Sequence, residues 1–231
     1  YVKILLNMPI KKIIAFGSAK GGVGKSSITA SLALSLSKHK KIGILDADVY
    51  GPNQNILFKL DTKNEIVDKQ IIPITKKGIK IISMGNIMNY DDAAIWRGPM
   101  LSGAIKKLVH DTKWGELDYL LIDMPPGTGD VYLTIFNELS IDKFILITTP
   151  NILAISDLQK TITMLKKLNV NIFGYISNNI FDVEDQNSIK LISDKINHLG
   201  TYKFDKNLHD FNLDYNSEIT EEISKRILSD T

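Results

Sequence analysis

The 231-residue sequence contains no cysteine. That absence excludes disulfides, a catalytic thiol, and any thiolate site for zinc or an iron–sulfur cluster built from this chain alone. It fits a reducing compartment, the cytoplasm or an organelle matrix. Long hydrophobic runs are also missing, and nothing approaches the ~20 consecutive apolar residues of a spanning helix. The short run from Tyr1 to Leu6 soon meets Pro9, Lys11 and Lys12. It has neither the long apolar region nor the small-residue cleavage site of a signal peptide. The first residue is not Met, so the sequence is silent on what precedes it. An excess of charge is absent too: 28 Lys and Arg against 26 Asp and Glu leave a net charge of +2. That balance speaks against an obligate nucleic-acid binder. The four histidines, His39, His110, His198 and His209, lack metal-ligand spacing and read as surface residues. A hydrophobic fraction of 44% excludes disorder as the main state.

What is present is an alternation of short β-branched apolar runs with helical patterns. Strands are expected at 12–16, 42–45, 119–122, 144–147 and 172–176, and a helix over 26–37. Strands this apolar, with little alternation, are covered on both faces. Strand–helix repetition predicts an α/β fold, a doubly wound, mostly parallel sheet with helices on both faces. Between Asn53 and Gly85 the pattern changes to Ile71-Ile72-Pro73-Ile74, Lys76-Lys77-Gly78 and Ile79-Lys80-Ile81-Ile82. This predicts a small β-hairpin insertion, with Pro73 marking an edge. With no linker and no repeat, residues 1–231 read as a single domain. Near the C-terminus Ile219, Ile223 and Ile227 form one helical stripe. The acidic residues around it, Glu218, Glu221, Glu222 and Asp230, disfavour an anionic bilayer, so the stripe is expected to pack on the domain.

Chemistry concentrates at three strand ends. Ala19-Lys20-Gly21-Gly22-Val23-Gly24-Lys25-Ser26 lies between a strand and a helix, the setting of a phosphate-binding P-loop. The glycines let backbone N–H groups of residues 21–27, Val23 and Ser27 included, turn onto phosphate oxygens. The following helix adds its positive end. Lys25 supplies a cation for the β- and γ-phosphates, and the Ser26 hydroxyl is a hard ligand for Mg²⁺. Ala19 stands where the general pattern has its first glycine. Asp46 and Asp48 follow the second strand, and two carboxylates there can divide metal holding from water orientation. Asp123 ends Leu120-Leu121-Ile122, a Walker-B-like strand delivering a carboxylate to a metal. In the next segment, Met124 to Asp130, two prolines stiffen the turn and Gly127 can aim an N–H at a γ-phosphate. Asp130 is expected to cap a helix.

Four stretches, 13–29, 43–53, 95–104 and 114–134, resemble the Mrp/ApbC family of iron–sulfur cluster carrier ATPases. They include Asp46-Ala47-Asp48-Val49-Tyr50-Gly51-Pro52, Trp96-Arg97-Gly98-Pro99-Met100 and Trp114 to Asp130. The likeness is strongest over about 12–180 and weakens over 181–231. The resemblance implies a Mg²⁺-dependent ATPase, active as a homodimer or as a heterodimer with a Cys-bearing relative, whose clients are apo iron–sulfur proteins. Lys20 matches the extra lysine of the deviant P-loop class, MinD and ParA included, which crosses the dimer interface to the partner's nucleotide. The resemblance further assigns water positioning to Asp48, organisation of Lys25 and Mg²⁺ to Asp46, and the adenine edge to Asn178. One departure is plain: the family's Cys-x-x-Cys pair, due in 174–186, is absent. Asp182, Glu184 and Asp185 are hard ligands and poor substitutes on a soft cluster. Direct cluster ligation is therefore not expected, and neither a membrane nor a nucleic acid is an expected partner. Two alternatives stay beside this reading. One is a nucleotide-gated scaffold without its own cluster, the other a MinD/ParA-like positioning ATPase.

Overall fold

The computed structural model describes residues 10–87, 99–181, 192 and 195–230. In chain order the strands are β1 (Ile10–Ser18), β2 (Ile42–Asp46), β3 (Ile66–Val67), β4 (Gln70–Ile71), β5 (Ile74–Lys76), β6 (Ile79–Ser83), β7 (Leu117–Pro126), β8 (Lys143–Thr148), β9 (Ile172–Asn179) and β10 (His198–Lys203). The longer helices are α1 (Lys25–Leu36), α4 (Pro99–His110), α5 (Asp130–Glu138), α6 (Ile152–Lys167) and α8 (Glu218–Ser229). Short turns of helix are α2 (Gln54–Leu57), α3 (Met84–Ile87) and α7 (Lys206–His209).

One eight-stranded sheet carries the order β10-β9-β8-β1-β7-β2-β6-β5. All pairings in it are parallel except that of β5 with β6. The apolar strands are explained by their two covered faces. Along β7, Tyr119 and Leu121 pack with Leu32 of α1 and with Ile223 and Ile227 of α8. Leu120 and Ile122 pack on the opposite side with Ile105 of α4, Ile135 of α5 and Leu158 of α6. The C-terminal stripe therefore packs on the domain as expected. No helix among the described residues is long and apolar enough to cross a membrane.

The expected hairpin is present, turning at Lys77 and Gly78, both at positive φ. Its second strand is more than an insertion, because β6 pairs in parallel with β2 and is a mostly buried member of the main sheet. β3 and β4 form a separate two-stranded ribbon. β10 went unforeseen, since His198-Leu199-Gly200 lacks a continuous apolar run. Asp130 is not the cap of α5: Gly129 occupies that position, and Asp130 is the first residue of the helix.

Lys143, at the start of β8, is a nearly buried cation far in sequence from its partners. Its Nζ donates to the Ile227 carbonyl at 3.0 Å, pairs with Asp230 at 3.1 Å and lies 4.3 Å from the Phe173 ring centre. It thereby holds the C-terminal end of α8, where a cation is favoured. Lys143→Ala is expected to lower stability by about 2–4 kcal/mol, read by urea unfolding. Lys143→Met, which keeps the apolar stem, should recover part of that loss.

Parallel pairing brings the ends of neighbouring strands into one row. Asp46 lies opposite Ser83 of β6 on one side and Asp123 of β7 on the other, and Asp123 lies opposite Phe16 of β1. Ligands of such sheets bind beyond this carboxyl edge.

Candidate functional site

The loop after β1 winds onto α1 through Gly22 and Gly24, both in the left-handed region at φ +77° and +85°. Only glycine enters that region readily. At Gly24 there is a second reason, because a Cβ there would collide with the Asn178 amide. Asn178 comes from the end of β9, and its Nδ2 donates to the Val23 carbonyl at 2.9 Å. Ser18 Oγ donates to the Lys20 carbonyl at 2.9 Å and steadies the loop from the other side. The Gly127 N–H, expected to face a phosphate, donates to the Ser18 carbonyl at 2.9 Å.

Beneath the loop Lys25 forms a buried ion pair with Asp123 Oδ1. Lys25 Nζ also lies 3.3 Å from Ser26 Oγ. The other carboxylate oxygen, Asp123 Oδ2, accepts from Gln54 Nε2 at 2.8 Å. Gln54 Nε2 reaches the Ser26 carbonyl as well, at 3.1 Å. Parallel topology thus brings the P-loop cation and the β7 carboxylate together across 98 residues of sequence.

Asp46 is fully buried. It accepts from the Asp48 N–H on Oδ1 and from the Asn53 N–H, the Gln54 N–H and Ser83 Oγ on Oδ2, at 2.9–3.2 Å. The carboxylate expected at a metal is here the hub that holds the 48–54 turn. Burial, then the nearby Asp123 charge, pushes the Asp46 carboxyl up to about 7, against the pull of its donors and Lys25. Asp48 is also largely buried, and burial raises its carboxyl while Lys25 opposes the shift. Its Oδ1 accepts from the Gly51 N–H at 3.1 Å. Asp48 lines one cleft of about 300 Å³ together with Lys20, Gly21, Lys25, Ser26 and Ser27.

A second cleft of about 180 Å³ shares Gly22, Gly24 and Ser27 with the first and continues past Asn178 to Tyr202 and Phe204. Two clefts meeting at the P-loop suit the phosphate and base ends of one nucleotide. Lys20 stands apart from the buried centre. Its Nζ lies 3.4 Å from Asp157 of α6, and its side chain is 40% exposed.

The residues expected from sequence therefore gather at one sheet edge, with Lys20 at the rim of the cleft, paired to Asp157. Arg97, Asp182, Glu184 and Asp185 lie outside the described residues. Sequence reasoning missed Gln54 and Ser83. Neither carries a local signal, although Gln54 directly follows the Tyr50-Gly51-Pro52-Asn53 turn.

Ser26 Oγ, Asp48 and Asp123 form a small set of hard oxygen donors, and Gln54 Oε1 is a buried acceptor without a hydrogen-bond partner among the described residues. Such a set fits Mg²⁺, which takes few protein ligands and keeps waters and phosphate oxygens. An iron–sulfur cluster does not fit a chain without thiols.

Residues 9–220 match the family described as ParA, NUBPL iron-transfer P-loop NTPase. The iron–sulfur cluster carrier protein of Aquifex aeolicus is 45% identical over 173 residues, covering 73% of this chain and 48% of that protein. The iron–sulfur cluster transfer protein NUBPL of Dictyostelium discoideum is 43% identical over 175 residues, covering 73% of this chain and 54% of that protein. The chain thus spans about half the length of these curated relatives. Among solved structures, a nucleotide-binding protein from Archaeoglobus fulgidus in complex with ADP superposes with a TM-score of 0.72 at 30% identity, covering 94% of this chain and 89% of that one. The cell division ATPase MinD of Pyrococcus furiosus, at 18% identity and a TM-score of 0.75, shares the fold, over 96% of this chain and 100% of its own.

Proposed function

The chain belongs to the ParA/NUBPL family of iron-transfer P-loop NTPases, and from that premise we propose that it is a Mg²⁺-dependent ATPase serving iron–sulfur cluster assembly without ligating a cluster itself. The buried Lys25–Asp123 pair beneath the glycine loop carries this reading. A triphosphate entering the cleft offers Lys25 a stronger set of acceptors than one carboxylate. Lys25 then turns to the phosphates, and Asp123 Oδ1 is released. Ser26 and Asp123 would hold Mg²⁺, with Asp46 fixing the turn that carries Asp48. The chemistry the ion would supply when held by these residues is neutralisation of charge on the β- and γ-oxygens. Asp48 orients the attacking water and accepts its proton as the bond to the β–γ bridging oxygen breaks. Asn178 Nδ2 is engaged with Val23, so its amide oxygen is the end that meets the base. That oxygen accepts from the adenine amine and repels the guanine carbonyl.

In this reading the product of the cycle is a change of shape that gates partner binding. The acting form is a homodimer, or a heterodimer with a Cys-bearing relative whose thiolates supply the soft ligands missing here. Apo iron–sulfur proteins are the client class. Titration calorimetry with Mg²⁺ present should give saturable ATP binding at least about tenfold tighter than GTP. Anaerobic incubation of the same sample with iron and sulfide should leave it colourless. Absence of heat with either triphosphate overturns the ATPase reading, and a stable brown species overturns the exclusion of a resident cluster.

A further inference from the structure

Gln54 ties together three elements of the site. Its backbone N–H donates to Asp46 Oδ2 at 3.0 Å, and its Nε2 donates to Asp123 Oδ2 at 2.8 Å and to the Ser26 carbonyl at 3.1 Å. The side chain is fully buried. Two acceptors at one end of the carboxamide fix that end as nitrogen, because only nitrogen carries hydrogens to share between them. The other end, Oε1, is buried and has no hydrogen-bond partner among the described residues. An unpaired buried amide oxygen is costly, so a donor belongs beside it in the working state. Lys25 Nζ does not supply it: it donates to Asp123 Oδ1 and Ser26 Oγ instead.

We propose that Gln54 is a positioning residue for the nucleotide-bound metal, holding Asp123 and the first turn of α1 through Nε2 while Oε1 accepts from a water in the metal's hydration shell. The inference rests on the Mg²⁺–nucleotide reading above and adds a residue to it. A neutral carboxamide suits the task, because it donates to a carboxylate and accepts from a water at once. A glutamate in its place would repel Asp123, and a lysine could not accept. With Oδ2 held by Gln54, Oδ1 is the oxygen of Asp123 that becomes available when Lys25 moves to phosphate. Partners that orient metal-holding groups in this way affect affinity and turnover without touching the nucleotide.

The test is Gln54→Leu in the full chain, with three readouts. They are ATP calorimetry in EDTA, the Mg²⁺ midpoint of nucleotide binding and turnover, and the electron paramagnetic resonance of Mn²⁺ added with ATP. ATP affinity in EDTA should match the parent, the Mg²⁺ midpoint should rise roughly 10–100-fold, and the bound Mn²⁺ signal should fall in step. Excess Mg²⁺ should restore most of the turnover. If Gln54→Leu does not fold, Gln54→Met, unbranched and of similar length, carries the same expectations. An unchanged Mg²⁺ midpoint overturns the proposal, whether turnover is intact or ATP affinity in EDTA falls, the latter marking a structural role only. A parent chain that binds no Mg²⁺–ATP sinks the underlying reading as well, and the parent titration alone reveals it.

Discussion

Lys25→Ala is expected to weaken triphosphate binding by roughly 30- to 1,000-fold and to destabilise the ligand-free fold by about 3–5 kcal/mol. The first effect follows from removing the cation proposed to meet the phosphates. The second is less obvious, because a P-loop lysine is usually discussed only for its ligand. Here Lys25 is nearly buried and paired with the fully buried Asp123, and Asp46 lies opposite Asp123 in the sheet. Truncating Lys25 leaves two buried carboxyl groups side by side without their cation. Adding Asp123→Asn to Lys25→Ala removes the uncompensated charge and should return about 2–3 kcal/mol of stability, while binding stays lost. Urea unfolding of the single and double variants, with calorimetry of each, separates the two roles. Retention of tight ATP binding by Lys25→Ala would place the phosphates elsewhere.

The contrast between Lys25 and Gln54 shows how much of the site is legible in the sequence. The P-loop announces itself because its glycines, Lys25 and Ser26 act within one short turn, and their spacing is dictated by local backbone geometry. Asp46 and Asp123 are legible at one remove, since an apolar run ending in Asp predicts a carboxylate at a parallel-sheet edge. Which carboxylate meets which cation depends on strand order, and that order comes from crossovers whose length does not encode it. Asp46 illustrates the cost. Its sequence position suggests a metal ligand, but Ser83 of β6 and the Asn53 and Gln54 N–H groups donate to its Oδ2 and the Asp48 N–H to its Oδ1. Reading β6 as part of an inserted hairpin hid Ser83 from the site. Gln54 has no motif because its function lies in the distance from its amide to Asp123, 69 residues away.

Lys20→Ala is expected to lower turnover roughly 10³–10⁵-fold, the range of a cation supplied across an interface, with ATP binding retained. In the isolated chain Lys20 rests on Asp157, an exposed pair that contributes little to the fold, so the variant should fold normally. That resting place is also shared, because Asp157 pairs with Lys160 at 2.9 Å and keeps a cation when Lys20 leaves. A loss of turnover alone does not show from which subunit the lysine acts. Mixing K20A with D48N does, because D48N is expected to keep ATP binding while losing the carboxylate proposed to orient water. In a two-fold dimer, the nucleotide on a K20A subunit faces the intact lysine of its D48N partner and keeps its own Asp48. The opposite site lacks both groups. Random pairing makes half the dimers mixed, each with one working site of two, so an equal mixture should regain about a quarter of the parent turnover. If Lys20 serves its own nucleotide, every site in the mixture lacks one essential group and no activity returns. Turnover against mixing ratio should therefore trace a curve with its maximum at equal amounts, a shape that two independently impaired chains cannot produce.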